Sequence, residues 1–511
     1  MNAVNESFLL SLLIFSPVLG MLVLAFIPKT EEKTLKLVGF LSTLLPLGLA
    51  LVIYGQYLSG KALSSFSEVY EWIQIGNFEV FKGRLFAVDY ELGVDGFSLI
   101  LLLLTTILAT LSSIAAIHIK KEWKGYFLLF LLLEVGMLGV FAAENLILFF
   151  IFFELTLIPM FFLIGKWGYF DREKAAYSYL IYNGLGSAVL LIVIMVLFSR
   201  TGTTNIALLG QILNGEYEAQ QLILPFTPEI RWGLFISLLI AFGVKLPIFP
   251  LHSWMLRVHV QAPPSIVMLH SGILLKIGAF GLIRFGAGLF PGEYESFAVV
   301  LAILGVVNLL YGAFLAFIQD DFKMVLAYSS ISHMGIVLIG LAALNDAGIQ
   351  GAIFQVVSHG LISALLFFLV GVMYERVQTT MLGHLGGLAK IMPITAGFLL
   401  TGAMASLGLP GMSGFVSEFM AFLGLFKEMP IIAAVGTIGI IMTAVYLLRA
   451  VLNMTFGPLN EKLENKPDLK GVEFIPVLVL VGLIVLIGVF PSILTVPLQS
   501  TVETIMLGIG G

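Results

Sequence analysis

Apolar residues run in long blocks along this 511-residue chain rather than alternating as in strands of a soluble sheet. A membrane helix needs about 20 mostly apolar residues. Blocks of that kind predict fourteen spans: 8–27, 36–55, 96–117, 126–143, 145–165, 177–198, 232–250, 264–288, 296–317, 323–343, 350–374, 391–426, 430–456 and 474–495. The twelfth is too long for one straight span and carries Gly408, Pro410, Gly411 and Gly414 near its middle. The seventh carries Pro247 and Pro250 just after Lys245. Pro and Gly inside a span free backbone groups that hydrocarbon cannot satisfy, so such breaks occur where protein or water surrounds the helix, as in transporters. The pattern therefore predicts an all-α polytopic membrane protein of about 14 transmembrane helices, with helices 7 and 12 broken.

Composition agrees with that reading. Hydrophobic residues make up 59% of the chain and charged residues 11%, against about 25% charged in soluble domains. That excludes a soluble enzyme, a disordered protein and a nucleic-acid binder. With no cysteine there are no disulfides, thiolate metal sites or iron–sulfur ligands. Met1 to Ser16 holds no Lys or Arg, so the first apolar block reads as a span rather than a cleaved signal. Two longer connections, 56–95 and 199–231, read as lids on one membrane face.

Basic residues set the orientation. If the N-terminus is outside, the short inner loops hold Lys29, Lys33, Lys120, Lys121, Lys124, Arg172 and Lys174 among others. Most outer basic residues, such as Lys61, Lys82, Arg84, Arg200 and Arg231, sit in or beside the two long connections. Both termini are expected on the outer face. Leu246-Pro247 and Leu409-Pro410 hint at an internal repeat of two five-helix units, the second inverted because each unit has an odd number of spans. The corresponding division is 1–124 (three N-terminal helices and a loop), 125–290 and 291–458 (the two repeats), and 459–511 (a loop and the last helix).

Charge at mid-membrane is expensive, so ionisable residues there are functional candidates. They are Glu134 in span four, Glu154 in span five, Lys245 in span seven, Lys276 in span eight, His333 in span ten, His359 in span eleven and Glu418 in span twelve. Arg449 in span thirteen is placed to snorkel toward an interface. Burial favours the neutral forms of acids and amines, and a nearby opposite charge restores the ionised forms. A Glu–Lys pair of changing geometry can thus switch protonation, and histidine can pass a proton between its two nitrogens. The same residues also admit a static reading, in which Glu154 with Lys245, and the two histidines, only fix helix packing. Lys276, with apolar neighbours on both sides and no local partner, suits that reading least. His252, His259 and His270 flank a helix break with no carboxylate beside them, so no metal site is expected. No phosphate loop, dinucleotide fingerprint or nucleophile elbow is present.

At these residues the chain resembles the antiporter-like membrane subunits of respiratory complex I. The resemblance is carried by Ala241-Phe-Gly-Val-Lys245-Leu-Pro247-Ile-Phe-Pro250-Leu-His252-Ser-Trp254, Phe152-Phe153-Glu154-Leu-Thr-Leu-Ile-Pro159-Met160 and Gly272-Ile-Leu-Leu-Lys276-Ile-Gly278. It continues in Asp321-Phe-Lys323 through Ser330-Ile-Ser-His333-Met-Gly335, Val357-Ser-His359-Gly360, and Leu409-Pro410-Gly411-Met-Ser-Gly414-Phe-Val-Ser-Glu418-Phe-Met420. Gly93-Val94-Asp95-Gly96 also fits. Glu418, where the L and N types and the cation/proton antiporter subunits typically have Lys, resembles the M-type branch of NADH-quinone oxidoreductase. One departure is Met255-Leu256-Arg257-Val258-His259, where the family usually reads Leu-Pro-Asp-Ala-His.

The resemblance implies two inverted five-helix repeats and a proton path. Glu154 and Lys245 match the family's span-five and span-seven pair, Lys276 its central lysine, His333 and His359 its central axis, and Glu418 its exit-side acid; Glu134 matches an acid that some members carry. It further implies no cofactor on this chain, redox chemistry in other subunits, L-type and N-type membrane neighbours, and an energy-coupling membrane, as of a bacterial cell. A subunit of a multi-subunit cation/proton antiporter is the alternative, and a purely structural scaffold a third reading.

Overall fold

The computed structural model describes residues 7–80, 84–215, 223–459 and 466–508. Lys82, assigned above to the outer side, lies outside them. Among the described residues, twelve helices are long and apolar enough to cross a membrane. The first six are α1 (Leu9–Phe26), α2 (Glu32–Leu58), α3 (Gly96–Ala115), α4 (Trp123–Ala142), α5 (Leu146–Trp167) and α6 (Arg172–Thr201). A short α7 (Ile206–Leu213) precedes the broken span, α8 (Pro228–Lys245) with α9 (Ser253–Gln261). Next come α10 (Pro264–Ala287), α11 (Pro291–Phe317), α12 (Phe322–Ala342) and α13 (Asp346–Val377). The second broken span is α14 (Pro393–Ser406) with α15 (Ser413–Glu428), followed by α16 (Pro430–Phe456), α17 (Phe474–Val489) and α18 (Ser492–Gly508). The two expected spans outside the twelve are the broken ones.

Both breaks resolve their backbone internally. Past Lys245, Pro247 removes a donor and interrupts the helix. Asn308 of α11, fully buried, answers the interruption: its side-chain nitrogen donates to the Pro247 carbonyl at 3.2 Å and its oxygen accepts from Phe249 N at 2.7 Å. The second break turns through Gly408 at φ 79° and Gly411 at φ 91°, a region that favours glycine. The variant stretch Met255 to His259, which falls between the expected spans seven and eight, lies wholly inside α9. A helix has no need of the usual Pro and Asp there.

Burial is graded. The apolar windows of α10 and α13 are 100% buried, that of α2 only 28%. The outer helices keep Leu, Ile and Phe on a lipid-facing side, while the two central helices meet protein all round. Close approach of α11 to α12 depends on glycine: a Cβ at Gly312 would fall 2.6 Å from Ser332 N and 2.7 Å from Tyr328 O.

Three connections depart from expectation. The 56–95 stretch contains an antiparallel hairpin, β1 (Glu68–Val80) with β2 (Arg84–Leu92), pairing Glu68 with Leu92 and Tyr70 with Tyr90. Neither strand is a block of about 20 apolar residues, so the pattern that marks a span passes over both. The 199–231 connection contains α7, and the segment after α17 forms a further helix, α18, past Pro491.

The hairpin is fastened by polar groups. Glu68 caps α1 by accepting from Leu10 N at 2.8 Å and Ser11 N at 3.2 Å. Glu91, 5% exposed, accepts from the side-chain nitrogens of Asn205 at 2.8 Å and Asn145 at 3.1 Å. Those two residues also cap α7 and α5. Burial pushes the Glu91 carboxyl up to about 7, with Asp89 and Glu144 adding repulsion against the two amide donors. Arg284 joins the same face by binding Asp95, the cap of α3, at 2.6 Å, and Glu144.

Two outcomes are expected. Gly312→Val should cost about 1–3 kcal/mol by overpacking against backbone that cannot retreat, read as a lowered Tm of the purified protein. Glu91 holds a proton in the folded protein that the unfolded chain has lost, so its contribution weakens as pH rises from 4.5 to about 7 and then levels. Thermal melts across that range should show Glu91→Gln lacking a pH-dependent share of about 3 kcal/mol; an identical pH dependence in both proteins refutes it.

Candidate functional site

The buried centre of the molecule is a polar seam through apolar packing. Lys276 of α10 is 0% exposed, and its Nζ lies 2.6 Å from His359 Nδ1 on α13, with the Met334 sulfur at 3.8 Å. The other nitrogen of His359, Nε2, is 3.2 Å from Ser330 Oγ on α12. The lysine that lacks a partner along its own helix thus has one across the bundle.

His333 of α12 stands beside His359, with ring centroids 5.4 Å apart. Its Nδ1 is 3.0 Å from Gln355 Nε2 and its Nε2 is 3.0 Å from Ser406 Oγ. An amide nitrogen can only donate, so in this arrangement Nδ1 accepts and Nε2 carries the hydrogen. Ser417 Oγ donates to Gln355 Oε1 at 2.5 Å. Glu418 Oε1 lies 3.6 Å from His333 Nδ1, near but outside hydrogen-bond range. A small cavity touches Ser330, His333, His359 and Ser406, with about 10 Å³ of room for a water's centre; one water needs about 10–15 Å³. Lys276, His359, His333 and Glu418 are therefore brought together in that order.

The second group surrounds Lys245, at the last turn of α8. Its Nζ sits 4.9 Å from the ring of Phe153 and 5.5 Å from that of Tyr179. Glu154 is near enough to act on Lys245 electrostatically, yet no ion pair within 4.0 Å joins them, and Glu154 Oε1 is buried without a partner. The Glu154–Lys245 pair is a separated one here. Two aromatic rings flank the ammonium within cation–π range.

Between the two groups stands a pair of histidines. His259 Nε2 is 2.9 Å from His270 Nδ1, both rings fully buried. His270 lies on α10 with Lys276, and its ring is 6.0 Å from that of Tyr179, the ring beside Lys245. The spacing of the two histidines about the helix break was weighed above only as metal chemistry, and their link was not foreseen. Gln355, neither charged nor a histidine, is not among the expected residues, although an amide one turn before His359 in an apolar span marks the position. Among the described residues, no three His, Asp or Glu come together to hold a metal.

Two candidates stand apart. Glu134 on α4 is fully buried with both oxygens unpartnered, and the structure does not join it to the other six. Arg449 reaches a helix end, binding the Phe317 carbonyl and lying 3.8 Å from Asp320, half out in solvent.

Helical spans, two internal breaks and a buried line of titratable groups define an antiporter-like, polytopic membrane protein. The family model described as "NADH:quinone oxidoreductase/Mrp antiporter, TM" matches residues 143–444. The chain is similar to NADH-quinone oxidoreductase subunit M of Rhodobacter capsulatus, with 36% identity over 95% of this chain and 94% of the relative. It is also similar to a chain of respiratory complex I from Thermus thermophilus, with TM-score 0.82, 29% identity, and coverage of 98% of this chain and 100% of that one. A chain of the Mrp complex from a Dietzia species shares the fold at TM-score 0.80 and 22% identity, over 99% of this chain and 100% of that one. This chain belongs to the NADH:quinone oxidoreductase/Mrp antiporter membrane family.

Removing one partner of a buried polar contact leaves the other unanswered and costs about 1–3 kcal/mol. Lys276→Met, which strips His359 Nδ1 of its partner, is accordingly expected to lower the Tm of the purified protein; a Tm at or above wild type would show that the Lys276–His359 contact does not hold the bundle together.

Proposed function

We propose that this chain is the M-type proton-translocating membrane subunit of an NADH:quinone oxidoreductase, embedded beside L-type and N-type antiporter-like neighbours. The observation that carries the reading is the run of buried titratable groups from Lys245 through His270 and His259 to Lys276, His359, His333 and Glu418. A scaffold would gain more from apolar packing at those places. Residues 125–290 and 291–458 act as two units, the first loading protons at Glu154 and Lys245 and the second releasing them past Glu418. Glu134 serves the first unit as a reserve acid. Electrons move in other subunits, and this chain carries no redox cofactor of its own. It lies in an energy-coupling membrane, a bacterial cell membrane, with both termini on the outer face.

The driving step is electrostatic. When Glu154 and Lys245 are apart, each is stabilised less in its charged form. Movement that brings them together or separates them changes which protonation states are favoured, and His270 and His259 pass the change toward Lys276. The cation/proton antiporter alternative shares the fold at 22% identity, and the acid at Glu418 favours the first reading.

Glu154→Ala and Lys245→Ala in the assembled complex are each expected to abolish NADH-driven proton uptake into inverted membrane vesicles, with assembly intact on native gels. Wild-type pumping by both variants would overturn the relay.

A further inference from the structure

The separation of Glu154 from Lys245 leaves a gap that a proton has to cross. The side chain near both is Tyr179 of α6. Its ring lies 5.5 Å from Lys245 Nζ, and the ring of Phe153, the residue before Glu154 on α5, lies 4.9 Å from the same nitrogen. Tyr179 is fully buried, and its Oη has no hydrogen-bond partner. Ring-edge contacts to Trp254, at 5.5 Å between centroids, and to His270, at 6.0 Å, fix its direction.

A phenylalanine would make the same aromatic contacts without burying an unanswered hydroxyl, which is unfavourable. Orphaned buried polar atoms in native proteins call for an explanation. Here Glu154 Oε1 and, on the ring packed against Tyr179, His270 Nε2 are orphaned as well.

We propose that Tyr179 is a proton-relay residue linking Lys245 to Glu154, and thereby lets the pair change charge without touching. In the step, an Nζ–H bond of the Lys245 ammonium breaks and that proton bonds to the phenol oxygen, directly or through one water. The phenol's own O–H bond breaks and its proton bonds to a carboxylate oxygen of Glu154. Tyr179 is neutral before and after, one proton is gained and one lost, and no electrons move. Lysine and glutamate pass from a charged to a neutral pair, and the reverse step restores them. This rests on the proton-translocating reading of Glu154 and Lys245 given above.

The test compares Tyr179→Phe with Tyr179→Leu in the whole complex, as NADH-driven proton uptake per assembled complex in vesicles, in H2O and D2O and across pH. A relay predicts that both variants lose at least fivefold in rate and that the solvent isotope effect and pH profile of Tyr179→Phe differ from wild type. A ring that only packs predicts that Tyr179→Phe matches wild type in all three measures while Tyr179→Leu fails, which overturns the proposal. Glu154→Ala in the same vesicles separates the two levels: if it too pumps normally, the underlying reading falls; if it stops while Tyr179→Phe does not, only the relay falls. Should Tyr179→Phe fail to assemble, fluorotyrosine at position 179 keeps the shape and lowers the phenol's pKa. A pH profile displaced toward acid then supports the relay, and an unchanged one overturns it.

Discussion

Hydrocarbon offers no hydrogen bonds, and this single constraint orders the molecule. Every interruption of a helix has to be answered by another part of the same chain. Asn308 does this for the break beyond Lys245, supplying both a donor and an acceptor from a neighbouring helix. The break is thereby affordable, and it places an ammonium group at the end of a half-helix inside protein. Polar chemistry at mid-membrane follows from the same arrangement. Lys276 and His359 stand on the two helices that are buried all round, where neither amine nor imidazole faces lipid.

The two halves of the seam are built differently. On the Lys276 side, polar atoms are joined: imidazoles, hydroxyls and one amide lie within about 3 Å of each other in pairs. Such a network resists rearrangement, because breaking any bond exposes an unsatisfied group. On the Lys245 side, aromatic rings hold the ammonium and several polar atoms go unanswered. Cation–π contacts have softer geometry than hydrogen bonds. Motion that alters pairing is cheaper there than at the histidines.

Much of this was legible in the sequence. Long apolar blocks gave the spans to within a few residues, and Pro247 and Gly408 marked the breaks because their backbone chemistry admits no regular helix. The few charges at mid-membrane stood out for the reason that makes them costly. What could not be read was what lies across the bundle. Nothing near Lys276 in sequence announces His359, and nothing near Glu154 shows that Phe153 and Tyr179 would hold Lys245 away from it. Sequence resemblance implied the Glu154–Lys245 association but not its separation. The hairpin escaped because its polar fastening, from Glu91 to Asn145 and Asn205, joins three connections far apart along the chain.

Helix α10 contains two π-helical stretches, His270–Leu274 and Leu282–Ala287. A π turn holds one residue more than an α turn, and each residue of an α-helix advances the direction of its side chain by about 100°. Lys276 follows the first stretch, so it points where a residue one place removed would point on a regular helix. A helical wheel drawn from the sequence assigns it to the wrong face. The aim of the central lysine is a property of backbone winding, and its identity alone does not determine which neighbour it meets.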